Sequence, residues 1–317
     1  INVLRYGNTR DLVLGVEAVT ASGEIINQMT ALRKNNMGYS IKDLLIGSEG
    51  TLAVITAAVL KLFPKPTEHV TVLMGLDEAD DAVAILAQSR EILGDLVSGC
   101  ELMSQQSFEF SLEHGEDCRS PFRKLKPWYL LLEFSSFEAQ LAEQVGAFVE
   151  LTKTHCKVDA EVAVDAAARQ QLWHIRKSIP GAQGKAGASI KHDVSVPVAS
   201  VPELLRRGEA AVKALLPTVR PSPFGHLGDG NLHFNLSQPE TMDAAEFLAQ
   251  WKIFNRAIHD VVSELGGSIA AEHGVGQMKT GELAQYLDAG ALASMHAIKQ
   301  AFDPKNLLNP GKVVLPQ

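Results

Sequence analysis

His226-Leu-Gly-Asp-Gly-Asn-Leu-His233 is the stretch on which the reading of this chain turns. Gly228 and Gly230 permit a tight reversal, so strands expected near 219–225 and 230–236 fold back on each other as an antiparallel pair. That reversal brings two histidines close enough to share one ion. His233 and Asn235, two apart in the second strand, point the same way. A plain hairpin with two incidental histidines is the competing reading, and the length of the pattern speaks against it.

Further along, Ala270-Ala-Glu272-His273-Gly274-Val-Gly276 adds a carboxylate and a third histidine. If this segment is extended, Glu272 and His273 face opposite ways and hold different roles. Two imidazoles and one carboxylate make a ligand set for a divalent metal with open positions. A histidine left off the metal suits proton transfer. Here the competing reading is a helix-entry loop with an exposed acid.

Around these motifs the elements can be sketched from period and punctuation. Residues 12–19 and 24–28 form a hairpin. Residues 52–63 form a long strand, apolar on both faces and so expected to be buried on both. Pro64-Lys-Pro66 ends it and marks a domain boundary. Strands at 70–76, 128–134, 190–196 and 267–271 then alternate with helices at 77–93 (N-capped by Asp77), 137–155, 166–177, 201–216 and 244–265. The expected class is α+β, with a mostly antiparallel sheet covered by helices.

Three further stretches are ambiguous. In Ser189-Ile-Lys191-His-Asp-Val-Ser-Val196, alternation puts His192 with the apolar residues and Lys191, Asp193 and Ser195 on the polar face. Lys191 there, and Arg176 in a last helical turn, read as structural on residues alone. Leu45-Ile-Gly47-Ser48-Glu-Gly50-Thr51-Leu52 is a glycine-bracketed turn; such amides can hold a phosphate or flavin edge, but a plain turn is the default.

A formal net charge of −8, without a basic cluster, argues against nucleic acid as a partner. Cys100, Cys118 and Cys156 are scattered and odd in number, which suits a reducing compartment and neither disulfides nor a sulfur-bound metal. No apolar run reaches the roughly 18 residues of a membrane span.

Taken in order, Leu-Ile-Gly-Ser-Glu-Gly-Thr-Leu at 45–52, the 226–233 motif, Glu-His-Gly at 272–274 and Asn-Pro-Gly-Lys at 309–312 resemble the FAD-linked D-2-hydroxyacid dehydrogenases of the vanillyl-alcohol-oxidase fold. The continuation His233-Phe-Asn235-Leu most resembles their D-2-hydroxyglutarate branch. The resemblance implies three parts: 1–66, the later part of an FAD-binding domain; 67–290, a substrate and metal-binding cap domain; and 291–317, returning to the flavin. Ile1-Asn-Val-Leu-Arg-Tyr-Gly7 resembles the segment just after the family's glycine-rich pyrophosphate cradle, so little FAD is expected to stay on this chain alone.

Carried over residue by residue, the resemblance implies His226, His233 and Glu272 as metal ligands and His273 as general base. Arg176, Lys191 and Asn235 would bind substrate, and Gly47, Ser48, Gly50, Thr51, Ile55 and Asn309 would contact FAD. Pro180 stands where relatives can carry a hydroxyl. The expected metal is zinc, with manganese or iron as alternatives. The implied partners are a small 2-hydroxy acid and an electron acceptor such as an electron-transfer flavoprotein or quinone, with a homodimer as one expected assembly. A bacterial cytoplasm or a mitochondrial matrix is implied as the location. Competing functions are D-lactate or glycolate oxidation within the same family, a flavin-free non-haem iron oxygenase, and a non-catalytic fragment or metal-binding module.

Overall fold

A computed structural model describes residues 1–315. Two helical turns, α1 (Val3–Tyr6) and α2 (Thr9–Leu12), lead into β1 (Val13–Thr20), β2 (Ile25–Asn27), α3 (Ile41–Leu45) and β3 (Ala53–Leu60). Next come β4 (Glu68–Leu76), α4 (Ala79–Leu93), β5 (Val97–Ser104), α5 (Gln105–His114), β6 (Trp128–Ser136), α6 (Leu141–Cys156) and β7 (Asp159–Ala163). They are followed by α7 (Ala166–Lys185), β8 (Ser189–Ile190), β9 (Val194–Ser195), α8 (Val201–Leu215), β10 (Arg220–His226), β11 (Asn231–Ser237), α9 (Ala244–Ala249) and α10 (Trp251–Glu264). Finally come α11 (Thr280–Tyr286) and α12 (Ala289–Phe302). The chain divides into two compact units: Ile1–Arg5 with Lys65–Ala271, and Tyr6–Pro64 with Glu272–Gln317.

The larger unit is built on an eight-stranded sheet in the order β7-β4-β6-β5-β10-β11-β8, with β9 also beside β11. Every pairing in it is antiparallel. The central β6, Trp-Tyr-Leu-Leu-Leu-Glu-Phe-Ser-Ser, is buried from Tyr129 onward because helices cover both faces. On one face α5 and α7 bring Phe108, Leu172, Trp173, Ile175 and Ile179 against Met103, Tyr129, Leu131 and Phe224. On the other, Phe148 of α6 meets Phe134 edge-on with centroids 6.0 Å apart. Each such large side chain, fully buried, contributes about 1.5–3 kcal/mol before conformational entropy is counted.

Several sequence expectations shift here for identifiable reasons. β5 was not anticipated, since Val-Ser-Gly-Cys-Glu-Leu-Met-Ser shows no clean alternation, yet all eight residues are buried. Helix α4 starts at Ala79 after Glu78, and Asp77 pairs instead with Lys126 Nζ at 3.0 Å. Helix α7 continues through Pro180 to Lys185, held by packing of Ile175, Ile179 and Ala182. The 244–265 helix breaks at Gln250, whose N–H bonds to Phe247 and Leu248 carbonyls. The expected strand at 190–196 is two short pairings with an irregular link, so His192 and Asp193 are both buried rather than on opposite faces. The 267–271 segment contributes a single bridge, Ser195 to Ser268.

In the other unit β1 pairs with β2 and β3 in a three-stranded sheet, order β2-β1-β3. Val13, Val16, Ala18, Leu45, Leu52 and Ala53 form its core, with Ile298 and Phe302 of α12 packed on it. Burial of β3 on two sides does not hold: Val54 is 53% exposed and Leu60 54%. As an outer strand it has a β-partner on one edge alone, and only one face of its sheet meets that core.

Candidate metal and flavin sites

The hairpin of β10 and β11 sets Phe224 opposite His233 and His226 opposite Asn231. Between them Gly230 adopts φ 78°, and a Cβ there would fall 2.0 Å from the Val196 carbonyl oxygen, so no other residue fits. The His226 and His233 rings stand 5.7 Å apart, centre to centre, and nearly perpendicular. Two imidazoles set this close on one hairpin are donors of the kind a divalent cation takes. Glu272, in the other unit, offers a carboxylate of the type that completes such a set. Glu272 directly follows Ala271, whose N–H donates to the Asp193 carbonyl at 3.3 Å. Glu272 and His273 are exposed and lie in an irregular segment rather than a strand.

Behind the histidines is a residue that sequence reasoning missed. Glu101 of β5 is fully buried, and its Oε1 lies 2.7 Å from His226 Nδ1. Its Oε2 accepts from Arg176 Nε of α7 at 2.8 Å. The Arg176 guanidinium lies over the Phe224 ring, 4.7 Å from its centre, and that ring is 5.0 Å from the His233 ring. Arg176 is thus buried in the same cluster as both histidines, while among the described residues its two terminal Nη groups have no protein partner. The available signal for Glu101 was one acid inside the run Cys100-Glu101-Leu102-Met103.

A second buried acid, Asp193, lies 3.7 Å from His233 Nδ1 and accepts Asn231 Nδ2 at 2.8 Å. Burial, followed by the carboxylates of Glu101 and Asp229, pushes the neighbouring Cys100 thiol well above its ordinary range. Asn235 is buried, with its Oδ1 3.3 Å from the His192 N–H and its Nδ2 donating to Gln183 Oε1 at 2.8 Å. Both ends of its amide are therefore engaged within the protein. Lys191 is exposed, and no described residue bonds to its ammonium.

The residues expected to meet flavin gather in the smaller unit around a cavity of about 480 Å³, lined in part by Ser48, Gly50, Ile55 and Asn309. Gly50 is left-handed, and a Cβ on it would come 2.8 Å from Asn309 Nδ2, which donates to the Glu49 carbonyl at 2.6 Å. Gly47 and Thr51 shape this turn without lining the cavity, since the Thr51 hydroxyl donates to Ser48 O at 2.7 Å. Glu49, also missed by the sequence reading, accepts from the N–H groups of Val275 and Gly276 at 2.8 and 2.9 Å. It thereby ties the turn to the segment following His273.

Residues 65–313 match the model for the C-terminal domain of FAD linked oxidases, and the chain belongs to that family. It is 35% identical over 314 residues to a D-2-hydroxyglutarate dehydrogenase of Xanthomonas citri pv. viticola, covering 99% of this chain and 66% of that protein. It is 33% identical to a D-2-hydroxyglutarate–pyruvate transhydrogenase of Saccharomyces cerevisiae, covering 99% of this chain and 64% of that protein. The fold matches p-cresol methylhydroxylase with a TM-score of 0.71 at 15% identity, over 98% of this chain and 68% of that one. The chain therefore spans about two thirds of the length of these relatives. No helix among the described residues is long and apolar enough to cross a membrane.

Proposed function

We propose that this chain carries the substrate and metal-binding part of an FAD- and divalent-metal-dependent dehydrogenase acting on a D-2-hydroxy acid, with D-2-hydroxyglutarate as the preferred substrate. The observation that carries the reading is the pair of facing imidazoles, His226 and His233, with Arg176 joined to His226 through the buried Glu101. The names of the relatives support the choice of substrate.

In this reading His226, His233 and Glu272 hold the cation. Zinc suits the donor set and does no redox chemistry of its own; manganese or ferrous iron are the alternatives. Arg176, held at Nε, keeps a planar fork free for the far carboxylate of a dicarboxylic substrate. Lys191, exposed, adds a second positive charge. His273 accepts the proton of the α-hydroxyl. Asn235 acts as a positioning residue through Gln183 and the strand. Gly47, Ser48, Gly50, Thr51, Ile55 and Asn309 shape or line the flavin edge. When bound, the flavin would take the hydride equivalent from C2, and the cation would lower the pKa of the chelated hydroxyl as it does for water. We place the enzyme in a bacterial cytoplasm or mitochondrial matrix, passing electrons to a flavoprotein, a quinone or a second oxo acid.

The decisive experiment follows the flavin spectrum of the flavin-loaded enzyme while D-2-hydroxyglutarate or D-lactate is added, with and without chelator. Reduction that needs metal and runs faster with the five-carbon acid is expected. Undiminished reduction under chelator would remove the metal from the reading, and equal rates would remove the dicarboxylate preference. In Arg176→Gln, kcat/KM for D-2-hydroxyglutarate should fall by an extra ~2–5 kcal/mol equivalent compared with D-lactate.

A further inference from the structure

Histidine that ligates a metal commonly donates its other ring N–H to a carboxylate, which sets the tautomer and ring orientation. Arginine that captures a carboxylate is itself usually braced. In this chain one carboxylate faces both. Glu101 presents Oε1 to His226 Nδ1 at 2.7 Å and Oε2 to Arg176 Nε at 2.8 Å. It is fully buried, and Arg176 is 7% exposed, so the pair is shielded from water on both sides. Glu101 comes from β5, His226 from β10 and Arg176 from α7, so no local geometry makes them meet.

We propose that Glu101 is the positioning residue of the site, and that it acts in two directions at once. It holds the proton of His226 on Nδ1 and so turns Nε2 toward the cation. It also anchors Arg176 by Nε, which leaves both Nη groups open to a substrate carboxylate. The metal site and the anion site then share one support, and damage to it weakens both. This rests on the metal and dicarboxylate reading above.

Glu101→Gln tests this. A glutamine has the same shape but one acceptor oxygen, and two N–H donors approach it from different sides. One of the two donors must then face the amide NH2, so His226 or Arg176 is released. Zinc alone is titrated calorimetrically into the metal-free protein, wild type and E101Q, after circular dichroism and thermal melting have established that both are folded. In parallel, 15N-histidine NMR of the unmutated protein reads which ring nitrogen of His226 carries the proton, with His226→Ala assigning the signal.

Zinc affinity is expected to fall about 10- to 100-fold in E101Q, the range for loss of such a support. His226 of the wild type should show a protonated Nδ1 and an unprotonated Nε2. With the flavin-loaded enzyme, KM for D-2-hydroxyglutarate should rise more than KM for D-lactate in E101Q, which a merely structural lesion would not produce. Zinc affinity and the KM ratio of the two acids both unchanged in E101Q overturn the proposal and leave the metal reading standing. A wild-type protein that takes up no zinc sinks the metal reading itself. A His226 proton found on Nε2 overturns the role of Glu101 whatever the titration gives, and needs no variant that folds.

Discussion

At the level of single residues, the three expected metal ligands differ in what else depends on them. His226 covers Glu101 Oε1, an atom with no access to water, whereas Glu272 is exposed. His226→Ala should therefore cost about 1–3 kcal/mol of folding stability in metal-free protein, the cost of an unsatisfied buried acceptor. Glu272→Ala should cost about 1 kcal/mol or less, as exposed substitutions usually do. Both should abolish zinc binding. Urea unfolding in the presence of chelator measures the difference, and equal losses would mean that Glu101 is not supported by His226. Arg176→Ala should be the most destabilising of the series, about 3–5 kcal/mol, because it leaves a buried carboxylate without its cation.

Among the elements, α7 and the segment after α12 carry the clearest consequences. Pro180 stands inside α7, at an exposed position, and withholds an N–H from the Arg176 carbonyl four residues back. Pro180→Ala restores that bond at some gain in unfolded-state freedom, so a net stabilisation of about 1 kcal/mol is expected in denaturant unfolding. Loss of stability instead would show that the proline is built into the packing of Ile175 and Ile179.

After α12, Asp303 accepts from Lys299 Nζ at 2.6 Å and from the N–H groups of Leu307 and Leu308 at 2.9 and 2.7 Å. Burial works against its ionisation, yet these bonds prevail and hold the carboxyl below its usual range. A folded value below the unfolded one means that its contribution is complete above about pH 4 and is lost as pH falls through the folded value. Asp303→Asn should accordingly flatten the acid limb of stability against pH. It should also loosen the Asn309–Glu49 link beside the 480 Å³ cavity, read as weaker flavin retention. An unchanged acid limb would place the acid sensitivity in other carboxylates.

For the molecule as a whole, protection should follow how each unit covers its backbone. β5 and β6 are central strands of the eight-stranded sheet with side chains buried on both faces. β3 is an outer strand with an open face, and residues 31–40 are exposed throughout. Amides of β5 and β6 should therefore be the last to exchange in deuterium oxide, and those of β3 among the earlier ones. Trypsin should cut first at Arg33 or Lys34, leaving 65–271 intact. An early cut inside that unit would contradict this ordering of stability.

The sequence alone determined what depends on neighbours along the chain. The Gly-Asp-Gly-Asn reversal, the hairpin pair around it, the β1–β2 hairpin and the longer helices α4, α6, α7, α8 and α10 follow from turn conformations and from periods of 2 and 3.6 residues. The side-chain types at 226, 233 and 272, on which the metal proposal rests, were legible because side-chain chemistry needs no fold to be recognised. Only the tertiary structure decided what stands behind them. Glu101 reaches His226 across 125 positions and Arg176 across 75, distances over which no local period carries information. The same holds for the burial of both His192 and Asp193, and for the open face of β3. Burial is a property of the elements that happen to cover a residue, and those elements come from elsewhere in the chain.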